Sequence, residues 1–280
     1  MLDTSTEKLI YDIVFVVLTY RNTEDLRNFI IDSKKVLNCK YKIIVVNSYY
    51  DDETNEEFAR IANENECDYI AVENKGYGYG NNQGIKLARE RYLFKFLIIS
   101  NPDIVVKQFA IEKIDGMQRH IIAPTIKTIR GKDQNPYYYS RIEFVEWTRY
   151  CACKYNNKSM AYIGFAINKL YRVIALKIDR LFNVKKRRIY ACHGSFVIIG
   201  CEALEKLGQV FDEGMFLFAE ENHLARLANE KSIITYMIPD IYVIHKEDGS
   251  FGDNKQLMSK YSKESYIYYY EKWKKIKESK

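Results

Sequence analysis

Proline and glycine are scarce in this sequence, at 4 and 13 of 280 residues. No stretch has the texture of a disordered linker, and no internal repeat is present. No apolar run approaches the roughly 20 residues that a membrane-spanning helix needs. The longest buried-looking stretches, such as Ile13–Leu18, are strand-sized. The opening Met-Leu-Asp-Thr-Ser-Thr-Glu lacks the basic, apolar, small-residue progression of a secretory signal. The six cysteines (Cys39, Cys67, Cys151, Cys153, Cys192 and Cys201) form no C-x-x-C pair. Cys151 and Cys153 lie two apart, which is poor spacing for zinc without further ligands nearby. These absences lead to the expectation of a cytoplasmic protein with reduced thiols, whose membrane contact, if any, is peripheral on the inner face of the cell membrane.

Aromatic residues are abundant: 24 Tyr and 14 Phe. Tyrosine joins an apolar body to a polar tip and suits wet interfaces, sugar surfaces and headgroups. The net charge of +6, with the basic excess most obvious after Tyr150, calls for an anionic partner. Nucleic acid, anionic lipid and a phosphorylated substrate are the choices. An apolar fraction of 47% over this length supports one large α/β domain, or one domain with a substantial insertion.

The first hundred residues alternate strand and helix. Asp12–Leu18 is a continuous β-branched run, as expected of a strand buried on both faces. Thr23–Leu37 reads as a helix, Tyr41–Val46 as a strand, Glu53–Asn65 as a helix and Asp68–Val72 as a strand. Asn82–Tyr92 then reads as a helix and Phe94–Ile99 as a strand. Such alternation predicts βαβ crossovers, with ligands bound beyond the carboxyl ends of the strands. From Arg130 to Arg188 the rhythm is lost in a tyrosine run, Tyr137–Tyr139, and a long helix-compatible stretch ending in Lys185–Arg188. It returns with a strand at Ala191–Ile199, helices at Cys201–Leu207 and Ala219–Glu230, strands at Ile233–Met237 and Tyr242–His245, and a helical tail.

Four segments carry chemistry. Asp103, in Ser100-Asn101-Pro102-Asp103, follows a strand, where a carboxylate is placed to hold a hard divalent cation against a diphosphate. Asn74–Gly84 is glycine-rich and opens onto a helix, a ready anion site. Its Gly78-x-Gly80-x-x-x-Gly84 spacing, after the third strand, is wrong for a dinucleotide fingerprint and speaks against a dehydrogenase. Glu220 and Glu221 stand in the first turn of a helix after the aromatic run from Phe211, where a general base could sit. His245 ends a strand and precedes Lys246-Glu247-Asp248-Gly249-Ser250. Taken singly, each segment also fits ordinary turn or helix-start chemistry.

In order and spacing the four together resemble family 2 of the inverting nucleotide-sugar glycosyltransferases, of the bacterial polysaccharide-assembly, rhamnosyltransferase-like type. The resemblance extends over most of the chain. Val14–Asn22 looks like the opening strand and turn, Val45–Thr54 like the second strand and its loop, and Asn74–Gly84 like the Asn-x-Gly-aromatic loop. Asn101-Pro102-Asp103 is similar to the Asp-x-Asp metal motif, Gly194–Asp212 to the acceptor-side run, and Glu220-Glu221 to the Glu-Asp base motif. His245 resembles the histidine before a terminal flexible loop. The departures are Arg21 for asparagine, Asn47 for aspartate, a metal motif reduced to Asp103, Glu221 for aspartate, and His223 where a second aspartate is frequent.

The resemblance implies a GT-A fold: a Rossmann-like, mostly parallel sheet flanked by helices, here with a helical, basic-aromatic insertion. Its implied divisions are a nucleotide-sugar-binding half at 1–129, the insertion at 130–190, an acceptor and catalytic half at 191–252 and a helical tail at 253–280. It implies a UDP- or dTDP-sugar donor lined by Thr19, Tyr20, Asn22, Asn47, Asp52, Asn74, Gly76, Tyr77, Asn82 and Asn101. Mn²⁺ or Mg²⁺ would sit on Asp103 and His245, with Glu221 as base and Glu220 in reserve. The expected acceptor is a glycan or a lipid-linked molecule of cell-surface polysaccharide assembly. Trp147–Arg188, with aromatic and basic residues interleaved, has the composition of a helix lying on an anionic membrane, and also of a helical insertion packed on the domain. Two other readings are a nucleotide-sugar-binding protein without catalysis and a nucleic-acid-binding protein. Against the second, basic residues cluster away from the sheet mouth and no recognised binding module appears.

Overall fold

In the computed structural model, which describes residues 8–247 and 255–279, alternate residues of the first strand feed two different cores. Strand β1 (Leu9–Thr19) sends Ile13, Phe15 and Val17 to one face, where they meet Leu26, Phe29 and Ile30 of helix α1 (Thr23–Val36). Val14 and Val16 point to the other face, against Ile85 and Ala88 of helix α3 (Tyr77–Arg91). Complete burial on both sides explains why β1 reads as an unbroken apolar run. Burying each such side chain stabilises the fold by about 1.5–3 kcal/mol.

Strands β2 (Tyr41–Ser48) and β3 (Asp68–Val72) extend the sheet in parallel, joined by helix α2 (Asp52–Glu64). Asn22 caps α1 by accepting from the Glu24 and Asp25 amides, and Asp51 caps α2 through the Thr54 amide. Beyond α3, β4 (Tyr92–Ser100) pairs in parallel with β1. The remaining strands are β5 (Ile104–Phe109), β6 (Ile121–Thr128), β7 (Arg187–Ile189), β8 (Phe196–Gly200) and β9 (Thr235–His245). The sheet order is β3-β2-β1-β4-β8-β6-β9-β5, with β7 also pairing to β9. β8 runs antiparallel between β4 and β6, so β8 and β9, from residues 196–245, are threaded into the sheet begun by residues 1–129.

Several elements differ from what the sequence pattern predicts. Ile233–Met237 and Tyr242–His245 are one strand, β9, with Pro239 inside it, and the register shift lies opposite, between Pro124 and Thr125 of β6. β5, β6 and β7 went unread. The strand expected from Ala191 begins only at Phe196, which leaves 191–195 as a loop. α3 starts at Tyr77 rather than Asn82, so most of the glycine-rich segment is helix.

The irregular stretch folds as helices α4 (Glu143–Lys154) and α5 (Lys158–Leu181), crossing closely at Gly164, where an added Cβ would lie 2.3 Å from Thr148 Oγ1. Helices α6 (Cys201–Leu207) and α7 (Glu220–Glu230) cover the second face of the sheet. Helix α8 (Lys255–Glu278) closes over α4 and α7. Much of the tyrosine serves this closure: Tyr150 stacks on Tyr270 at 4.3 Å, and the Tyr269 hydroxyl donates to buried Glu146 at 3.0 Å. Among the described residues, no helix is long and apolar enough to cross a membrane. The expected flexible loop at Asp248–Ser250 lies outside the described residues.

Candidate active site

The carboxyl ends of β1, β2 and β4 open into a cleft of about 480 Å³, walled also by the 191–195 loop, the 216–221 segment and α4. β9 and β5 pair with His245 opposite Ile104, so the register itself sets His245 beside Asp103. His245 Nε2 lies 3.2 Å from Asp103 Oδ2. The other imidazole nitrogen, Nδ1, is 2.9 Å from Gln134 Oε1. Gln134 Nε2 donates to Glu247 at 2.9 Å, which orients the amide with its oxygen toward the ring. His245 therefore donates through Nδ1 and turns Nε2 toward a carboxylate oxygen.

Two acceptors at that distance require a proton or a cation between them. The other Asp103 oxygen, Oδ1, is buried with no hydrogen-bond partner. A carboxylate with an orphaned oxygen beside an imidazole nitrogen is a donor set that fits a divalent cation. Among the described residues, no three His, Cys, Asp or Glu side chains gather as a closed metal cage. An ion held here would keep open positions for phosphate and water, as Mg²⁺ sites commonly do.

Across the cleft, Phe218 and Ala219 both adopt left-handed backbone, φ 71° and 70°, which is strained for side chains with a Cβ and carries the chain sharply into α7. The turn delivers Glu220 and Glu221. Glu221 Oε1 accepts from the Gly194 amide at 3.2 Å, while Tyr77 donates its hydroxyl to the Gly194 carbonyl at 2.9 Å. Glu220 is buried, with Oε1 unpartnered. Burial, and then the neighbouring Glu221 charge, push its carboxyl up to about 8. Gly76 fixes this wall: its φ is +107°, and a Cβ there would lie 2.3 Å from the Phe216 carbonyl.

Ten of the fourteen expected site residues line the cleft: Tyr20, Asn22, Asn74, Gly76, Tyr77, Asn101, Asp103, Glu220, Glu221 and His245. Four do not. Thr19 is buried, donating to the Val46 carbonyl, and Asn47 is buried against Asn55 and Tyr69, with Ser48 at the cleft instead. The Asp52 carboxylate accepts from Tyr49, outside the cleft lining. Asn82 holds the Phe211 backbone through both of its amide atoms. The glycines differ from expectation too. Gly80 and Gly84 let α3 approach the sheet, since Cβ atoms there would lie 2.5 Å from Leu18 and 2.4 Å from Val16.

Sequence reasoning missed Gln134, Tyr137, Arg149 and His193 in the lining. All come from the irregular segment or the loop that follows it. The tyrosine run was the one visible signal there. His193 bonds Ser195 Oγ at 2.9 Å and lies with its ring 5.5 Å from His245. Burial pulls its pKa down.

The sequence matches no protein-family model and no curated protein. Solved structures are more informative. The crystal structure of GalNAc-T7 with UDP, GalNAc and Mn²⁺ matches with a TM-score of 0.58 at 15% identity, over 86% of this chain and 44% of that one. The fold is GT-A. S. aureus TarS matches with a TM-score of 0.53 at 12% identity, over 84% of this chain and 36% of that one. The chain thus spans less than half the length of either GT-A neighbour.

Proposed function

We propose that this GT-A chain is an inverting glycosyltransferase, moving a sugar from a UDP- or dTDP-sugar to a glycan or lipid-linked acceptor of cell-surface polysaccharide assembly. The observation that carries the reading is the pairing, in one cleft, of the Asp103–His245 donor set with the Glu221 carboxylate. Both solved neighbours have the same fold, and GalNAc-T7 was crystallised with UDP, GalNAc and Mn²⁺.

Asp103 and His245 would hold Mn²⁺ or Mg²⁺, which when bound neutralises charge on a diphosphate leaving group. Tyr20, Asn22, Asn74, Gly76 and Asn101 line the donor side, with Tyr77 bracing the wall opposite through Gly194. Glu221 takes the proton from the acceptor hydroxyl as that oxygen attacks the anomeric carbon from the face opposite the leaving group. Glu220, carrying its proton near neutrality, is the poorer base and can donate a hydrogen bond instead. The insertion would bring the enzyme to an anionic membrane surface.

The test is a thermal-shift series of UDP-, dTDP- and GDP-sugars with and without Mn²⁺. Saturation at about 100 times Kd stabilises by about 2.7 kcal/mol, on the order of 5–10 °C for a chain of this size. One nucleotide is expected to give a Mn²⁺-dependent shift that Asp103→Ala removes. No shift with any donor in a folded sample would overturn the reading in favour of a protein that has lost its donor.

A further inference from the structure

The cleft lining is acidic, with Asp25, Asp103, Glu220, Glu221 and Glu247, yet it includes one guanidinium, Arg149 from α4. No carboxylate among the described residues lies within ion-pair distance of it. Nearby arginines are arranged differently: Arg141 and Arg226 both reach Glu146, which leaves that buried acid fully engaged. Arg149 instead rests its flat face 4.3 Å from the Tyr266 ring centre. Its hydrogen bonds, from Nη1 to the Tyr137 and Tyr138 hydroxyls, are both long at 3.4 Å. A guanidinium carries five N–H donors in a rigid fork, so most of this one's capacity is unspent.

Position narrows the role. Asp103 and His245 stand where β5 begins and β9 ends, whereas Arg149 comes from α4 of the insertion. Arg149 bonds the Tyr137 hydroxyl, and Tyr137, Arg149 and Glu221 all line the same cleft. A fixed cation there, stacked on an aromatic ring and without a counter-ion, matches a bidentate phosphoryl oxygen pair.

We propose that Arg149 anchors a phosphoryl group carried by the acceptor, beside the hydroxyl that Glu221 deprotonates. The acceptor is thus a phosphorylated glycan or a lipid phosphate. This rests on reading the cleft as a transferase site, and it adds a substrate class to that reading.

The experiment is calorimetric titration of glycerol 3-phosphate (the glycan-borne source) and monomeric dodecyl phosphate (the lipid-borne source) into protein with and without UDP and Mn²⁺. Wild type is expected to bind at least one ester, and the preferred one names the source. Arg149→Met should weaken that binding at least about tenfold while UDP binding stays, and Arg149→Lys should fall between, keeping the charge without the fork. If Arg149→Met does not fold, the lysine variant carries the comparison. Failure of both esters to bind wild type would overturn the proposal. So would a loss of UDP binding in the variants with ester binding intact, which would move Arg149 to the donor. If UDP does not bind wild type at all, the donor reading fails separately, and Arg149-dependent ester binding still upholds this site.

Discussion

Glu220 and Glu221 are consecutive, yet their surroundings give them different chemistry. Glu221 has a backbone amide to accept from, whereas Glu220 is buried with an orphaned oxygen, and its carboxyl is raised from 4.5 to about 8. The folded protein therefore keeps a proton that the unfolded chain releases. That contribution to stability is fully present below about pH 4.5 and is lost as pH rises toward 8. Glu220→Gln mimics the protonated form, and its melting temperature should fall less than that of wild type between pH 5 and 8. Parallel melting curves across that range would show that the Glu220 carboxyl is not the group responsible. The same scale explains two departures from the family pattern. Asn47 is held by Asn55 and Tyr69, and His223, pulled down to about 4 chiefly by burial, accepts from Trp273 of α8 at 3.4 Å. Neither lines the cleft, and both side chains are held by packing contacts within the fold. A sequence displays residue types at motif positions but not the direction in which each side chain turns.

Helix α3 shows how one element can be legible in composition and misread in purpose. Alternate glycines suggest a backbone opened to a ligand, but the helix already begins at Tyr77, and the glycines at 80 and 84 face the strands. A glycine inside a helix ordinarily costs about 1 kcal/mol relative to alanine, so Gly84→Ala would stabilise an exposed helix. Here the added methyl would stand 2.4 Å from Val16 and 2.7 Å from Val46, both on buried strands. Overpacking of this kind costs about 1–3 kcal/mol and reverses the sign. Urea denaturation of Gly84→Ala should therefore show a lower midpoint than wild type; a raised midpoint would mean that α3 can move away from the sheet. Strands β1 and β2 and the second half of β4 were legible because two-sided burial demands continuous apolar runs, whereas β3, at the sheet edge, has no buried residue. β6 was not, because Pro124 interrupts its pattern and its partners, eight of its residues pairing with β9 and two with β8, lie far along the chain. Asp103, Glu221 and His245 stand out because each sits in the turn after a strand, in the first turn of a helix or at the end of a strand. Gln134, Arg149 and His193 reach the cleft only through the tertiary path of an irregular segment.

At the scale of the molecule, the inserted helices leave an apolar face that nothing in the chain covers among the described residues. In α5 only Gly164 is buried, while Tyr162 (72%), Phe165 (65%), Leu170 (63%) and Leu181 (78%) stand exposed. The inner side is nonetheless well fixed: Arg180 pairs with Asp133, and Tyr139 donates to Asp179. The outer face is thus presented on a braced support. Lys158, Lys169 and Lys177 of α5 and Lys185, Lys186 and Arg188 after it are exposed, a charge excess that complements anionic lipid and would repel a second copy of the same surface. α4 joins this face to the chemistry, since Phe144 and Trp147 are exposed outward while Arg149 lines the cleft. Each Lys or Arg near an anionic surface contributes about 1 kcal/mol, and salt screens that attraction. In flotation, the protein should rise with phosphatidylglycerol vesicles, remain behind with phosphatidylcholine alone, and lose binding as salt increases. Phe165→Ser with Leu170→Ser should abolish flotation through the apolar part, and Lys185→Glu with Lys186→Glu should weaken it through the charge. Absence of flotation with a dimeric elution volume, reverting to monomer in the serine variant, would assign the face to a second copy of the chain instead.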